Sequence, residues 1–81
     1  MKKTVHILYF ALLREQRGLS EETVTTEART AGDFYRELKV KHHFTLSPGL
    51  LRVAINNEFQ PLEAELKSGD DVVFIPPVAG G

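Results

Sequence analysis

A chain of 81 residues has room for one modest hydrophobic core and no second domain. Its 10 Lys and Arg stand against 11 Asp and Glu for a net charge of −1, which gives no reason to expect nucleic acid or an anionic membrane as a partner. There is no cysteine, which removes disulfides, Cys-based zinc sites and thiol nucleophiles together. The two lysines behind Met1 are followed by no apolar h-region or small-residue cleavage site, and no run approaches transmembrane length; the expectation is a soluble, cytoplasmic protein.

In chain order, Thr4 to Phe10 alternates as a strand, with Val5, Ile7 and Tyr9 on one face and His6, Leu8 and Phe10 on the other. Both faces are largely apolar, so the strand is either covered twice or leaves Leu8 and Phe10 in an exposed patch. Ala11 to Gln16 has room for a short helical turn that Gly18 stops. The β-branched stretch from Glu21 to Glu27 reads as a second, polar edge strand. Thr30-Ala31-Gly32-Asp33 resembles a capping box, and a helix is predicted from Ala31 to about His43 that buries Ala31, Phe34 and Leu38. Ser47-Pro48-Gly49 is a turn, Leu50 to Ile55 a third strand, and Asn56-Asn57 a second turn. A short strand around Phe59 and a segment from Leu62 to Leu66 lead to Ser68-Gly69-Asp70-Asp71, which turns the chain into the apolar strand Val72 to Ile75. This order fits an α+β roll of the β-grasp (ubiquitin-like) kind: a mixed sheet of about five strands with one main helix, the first and last strands side by side. The predicted domain spans residues 1–75, with 76–81 as a flexible Gly-Gly tail.

Few residues offer chemistry of their own. His42 and His43 are adjacent on a helix and point about 100° apart, and His6 is alone in its strand, so no metal site is predicted. Glu21-Glu22 and Asp70-Asp71 read as solvated turn carboxylates, and Arg14-Glu15 as a solvated pair. No phosphate-binding glycine loop or nucleophile elbow occurs. Phe10, Phe59 and Ile75 are the apolar residues that fall at strand ends or beside the tail. They form either one exposed patch near the tail or ordinary core, where aromatic and Ile side chains usually sit.

The tail itself is the most informative stretch. Pro76 and Pro77 lack the N–H groups that would continue a ladder and set φ near −65°, giving a stiff exit from the last strand. Val78-Ala79-Gly80-Gly81 then makes a thin tip, able to thread a narrow channel and present a terminal carboxylate. A β-branched side chain at Gly80 would block such a channel. The competing reading is a frayed terminus without function.

With these stretches read together, the sequence resembles the small, sulfur-carrier subunits of molybdopterin synthase. The resemblance is carried by Leu8-Tyr9-Phe10-Ala11-x-x-Arg14-Glu15, Val53-Ala54-Ile55-Asn56, and Leu66-Lys67-Ser68-Gly69-Asp70-Asp71-Val72 running into Phe74-Ile75-Pro76-Pro77-Val78-Ala79-Gly80-Gly81. It covers about half the chain, and the Gly-Asp-x-Val, Pro-Pro-Val-x-Gly-Gly combination is its specific part. It implies a cycle in which a ubiquitin-activating-like adenylyltransferase uses ATP and Mg²⁺ to adenylate the Gly81 carboxylate, a sulfur donor converts it to a thiocarboxylate, and the tail carries the sulfur to a cyclic pterin precursor inside the large synthase subunit. The assembly implied is two small and two large subunits, with catalytic groups on the large one and no cofactor held by this chain. The positions matching Phe10, Phe59 and Ile75 would pack on the partners, and Pro76 to Gly81 would enter them. Three other readings stay open on the sequence: a ubiquitin-like modifier joined to lysines through Gly81, a thiamine-pathway sulfur carrier, and a plain interaction module.

Overall fold

The computed structural model describes residues 2–77; Met1 and Val78, Ala79, Gly80 and Gly81 lie outside the described residues. The strands are β1 (Lys3–Tyr9), β2 (Glu21–Thr26), β3 (Arg52–Ile55), β4 (Glu58–Gln60) and β5 (Asp71–Ile75). The helices are α1 (Ala11–Arg17) and α2 (Ala31–His42), and a 3₁₀ turn spans Pro48–Leu50. Among the described residues the strands form one sheet in the order β2-β1-β5-β3-β4, with β1 and β5 parallel at its centre and the other pairs antiparallel. This is the β-grasp, ubiquitin-like arrangement.

The alternation of β1 decides the layering. Val5, Ile7 and Tyr9 are almost completely buried, and Val53, Ile55, Val72 and Phe74 join them beneath α2, which contributes Ala31, Phe34, Tyr35 and Leu38. Tyr35 sits at the centre of this layer, stacked on Phe44 at 6.0 Å and edge-on to Phe74 at 5.2 Å. Its hydroxyl donates to the Leu46 carbonyl at 2.7 Å, so the buried polar atom is satisfied. The Thr30 hydroxyl accepts from the Asp33 N–H at 3.1 Å, the expected N-cap. The orphan N–H groups of Ala31 and Gly32 donate instead to the carbonyls of Ala64 and Leu62. That contact is close: a Cβ on Gly32 would lie 3.1 Å from the Leu62 carbonyl oxygen.

Two corners hold β5 in register. Asn56 and Asn57 both take positive φ, 53° and 71°, the geometry that suits a two-residue hairpin between β3 and β4. The Asn56 side chain donates to Asp70 at 2.9 Å and accepts from the Asp71 N–H at 2.9 Å, while the second Asp70 oxygen accepts from the Lys67 N–H at 2.8 Å. Asp70 is buried and fully tied, so it is not the solvated turn carboxylate that the sequence implied. A second correction concerns the third strand, which begins at Arg52 rather than Leu50. Leu50 and Leu51 donate back to Ser47 and Pro48, closing the 3₁₀ turn and leaving Leu50 exposed.

Candidate docking site

The sheet face opposite α2 carries the functional geometry. Register places Leu8 beside Val73, Val73 beside Ala54, and Ala54 beside Phe59, so one apolar row crosses four strands. Toward the tail end, Ile75 lies beside Arg52. Toward the other end the outward residues are polar: Thr4, His6, Thr23, Thr25 and Asp71. The face is thus apolar on the half from which the tail leaves. Phe59 is 69% exposed and Phe10 44%, which places both outside the core. They do not meet in one spot, however. Phe10 shares a cleft of 630 Å³ with Leu12, Leu46, Ile75, Pro76 and Pro77, whereas Phe59 lines a smaller one with Arg52, Val53 and Leu62. A third cleft, walled by Leu50, Arg52, Ile75, Pro76 and Pro77, joins the two. The sequence-predicted patch is therefore a band, with the root of the tail as its middle.

Local structure explains how Phe10 reaches that band. Ala11 opens α1 at φ +49°, a left-handed conformation that costs an L residue about 1–2 kcal/mol. The kink sends Leu13 into the core and leaves Phe10 and Leu12 outside, beside Pro76 and Pro77. The N–H groups of Leu13 and Arg14 both donate to the Phe10 carbonyl, and Gly18 closes the far end at φ +82°. The helix is then fastened at its last turn. Arg17 grips Glu22 through two hydrogen bonds of 2.8 Å, and the Tyr9 hydroxyl donates to the same carboxylate at 2.7 Å. Gln16 exchanges two hydrogen bonds with Thr45. Glu22 is thus half-buried and bonded, a second departure from the expected solvated acid, because the strand register turns it toward the Arg17 side chain. Arg14 and Glu15 are exposed and no ion pair joins them; Glu15 lies at the rim of the Phe10 cleft.

The hydrogen bonds from Arg17 hold the Glu22 carboxyl down at about 2, with the Tyr9 hydroxyl reinforcing them against burial. Burial, and then the bond to Glu22, push the Tyr9 phenol up. A carboxyl lowered on folding stabilises the protein above its ordinary value of 4.5 and loses that contribution as pH falls toward about 2. Melting temperatures of the wild type and Glu22→Gln should therefore converge as pH drops through that window. The gap at neutral pH should be on the order of 1 kcal/mol, or roughly 4–8 °C, after allowance for partial exposure. Parallel curves would remove Glu22 as the fastening of α1.

The described residues contain no group of three or more His, Asp or Glu able to hold a metal, and His42 instead packs its ring 5.7 Å from Phe44. Among them no helix is long and apolar enough to cross a membrane. Sequence reasoning missed Arg52, Leu12 and Leu50 as neighbours of the tail. The outward phase of Arg52-Val53-Ala54-Ile55 was the available signal for the first; the other two depend on the kink at Ala11 and the 3₁₀ turn.

Fold and site together define a ubiquitin-like β-grasp protein with an apolar band beside Pro76 and Pro77, where the chain leaves the last strand. The chain belongs to the ThiS family, whose model matches residues 7–81 and so includes the Gly-Gly end. It is 36% identical to the molybdopterin synthase sulfur carrier subunit of Haemophilus influenzae, over 95% of this chain and 99% of that one. A solved complex of subunits 1 and 2 of the molybdopterin-converting factor from Helicobacter pylori contains a similar chain, 25% identical with a TM-score of 0.61, covering 96% of this chain and 99% of that one. The small archaeal modifier protein 1 of Methanosarcina acetivorans is 25% identical with a TM-score of 0.79, covering 100% and 99% of the two chains.

Proposed function

We propose that this protein is the sulfur carrier of a molybdopterin synthase, with the Gly81 carboxylate as its working group. The observation that carries the reading is the apolar band at Phe10, Ile75 and Phe59 around the tail root, on a chain similar to the carrier subunit over nearly its full length. Pro76 and Pro77 lead the chain off the sheet through that band, so a partner covering the band also receives residues 78–81. A carboxylate is a poor electrophile. An adenylating partner that uses ATP and Mg²⁺ makes the Gly81 acyl adenylate, and a sulfur donor displaces AMP to leave the thiocarboxylate. With no cysteine in the chain, the terminus is where the sulfur sits. The thiocarboxylate then enters the large synthase subunit, which supplies the catalytic groups for transfer to the pterin precursor, in an assembly of two small and two large subunits.

The test is direct. After incubation with the activating partner, ATP, Mg²⁺ and a sulfur donor, intact mass should show one oxygen replaced by sulfur. The loaded protein, mixed with the large subunit and precursor, should yield molybdopterin. The similarity to an archaeal modifier keeps a second reading in view. Covalent adducts on lysines of other proteins, with no thiocarboxylate formed, would favour it and overturn the first.

A further inference from the structure

Arg52 is out of place on the half of the sheet that carries the band. Its outward neighbours are Ile75 across the strand pair and Ala54 along its own strand, with Phe59 beyond. It lines both the cleft at the tail root and the one under Phe59, so it stands between the two apolar anchors. Among the described residues its side chain has no hydrogen bond and no ion pair. The outward acids of the same face are not neighbours. Glu21 is bound to His6 at 2.8 Å, and Asp71 lies at the opposite end of β5, roughly 13 Å along the strand at the usual rise per residue.

Arginine stays charged at any physiological pH. A partner that covers Phe59, Ile75 and the tail root strips water from the guanidinium between them. An unpaired charge in such a place opposes binding, whereas a carboxylate offering two oxygens to the planar guanidinium offsets the loss of solvent. We infer that the protein surface docking on this band presents an Asp or Glu side chain to Arg52, inside an otherwise apolar contact, and that this pair helps select the partner. The inference rests on the docking reading above and adds to it the chemistry of the opposing surface. A carboxylate is the anion an unmodified protein surface supplies, and its two oxygens match the guanidinium fork better than a single-point acceptor.

The experiment measures association and dissociation rates with the large synthase subunit of the same organism, for the wild type and for Arg52→Glu, Arg52→Lys and Phe59→Ala. Arg52 is exposed, so its variants should melt like the wild type. Arg52→Glu should weaken binding about tenfold or more, chiefly through faster dissociation, because a formed contact is lost and two carboxylates oppose each other. Arg52→Lys, which keeps charge but loses the fork, should fall between. If Phe59→Ala weakens binding but Arg52→Glu dissociates like the wild type, no carboxylate faces Arg52 and the inference fails while the docking reading stands. A change confined to the association rate, abolished by salt, would mean long-range steering and also overturn the pair. If neither variant affects binding, the docking reading falls and takes this inference with it.

Discussion

A chain lacking Gly81, or carrying one residue after it, is expected to melt at the wild-type temperature and to acquire no sulfur at all. The first half follows from the fold: β5 ends at Ile75, Pro77 is already exposed, and among the described residues the core cluster reaches no further along the chain than Phe74. The second half follows from the chemistry proposed for the terminus. An adenylating site built for a terminal glycine must bring its carboxylate to the ATP phosphorus, and a shift of one residue moves that group by about 3.3–3.6 Å. Misplacement of about 1 Å already costs on the order of a hundredfold in rate. Intact mass after incubation with the activating partner, ATP, Mg²⁺ and a sulfur donor reads the result. With no cysteine to hold it elsewhere, one sulfur gained by the extended protein would sit on the added residue, so loading would not depend on a terminal Gly81 and the proposal of Gly81 as the working group would fall.

Two phenylalanines separate docking from folding. Phe59 is 69% exposed, whereas Phe74, on β5 with β3 between them, is 0% exposed and packs against Phe34 and Tyr35. Phe59→Ala should leave the melting temperature unchanged and weaken binding to the large subunit by at least ~2 kcal/mol, roughly thirtyfold, as truncation of an interface aromatic does. Phe74→Ala should do the reverse, removing about 3–5 kcal/mol of folding stability from a domain whose total is on the order of 5–15 kcal/mol. A large drop in melting temperature for Phe59→Ala would place that ring in the fold rather than at the interface. Wild-type affinity at an unchanged melting temperature would remove it from the docking band.

The division of labour at the band also accounts for α1. A seven-residue helix is too short to hold itself, and its first residue sits in a costly backbone conformation. The Arg17–Glu22–Tyr9 and Gln16–Thr45 bonds over-determine its position, so Phe10 and Leu12 stay beside the tail root in the free protein. A surface organised before binding loses less conformational freedom on association.

Local physics made much of this legible without coordinates of any kind. The alternation of Val5, Ile7 and Tyr9, the Thr30 cap, the Asn56-Asn57 turn and the Pro76-Pro77 exit each depend on side chains within a few residues of one another, and each is found where it was expected. The Gly-Gly end is legible in the sequence as a motif, and it lies outside the described residues. Tertiary structure alone decided the rest, because burial and charge pairing depend on partners distant in the chain. The parallel pairing of β1 with β5 sets Tyr9 opposite Phe74 and brings Phe10 to the tail root. The β3–β5 register puts Arg52 beside Ile75, setting an ordinary strand arginine among the apolar residues of the band. Glu22 and Asp70 look like solvated acids in sequence, and become bonded ones only when Arg17, Tyr9, Asn56 and Lys67 converge on them.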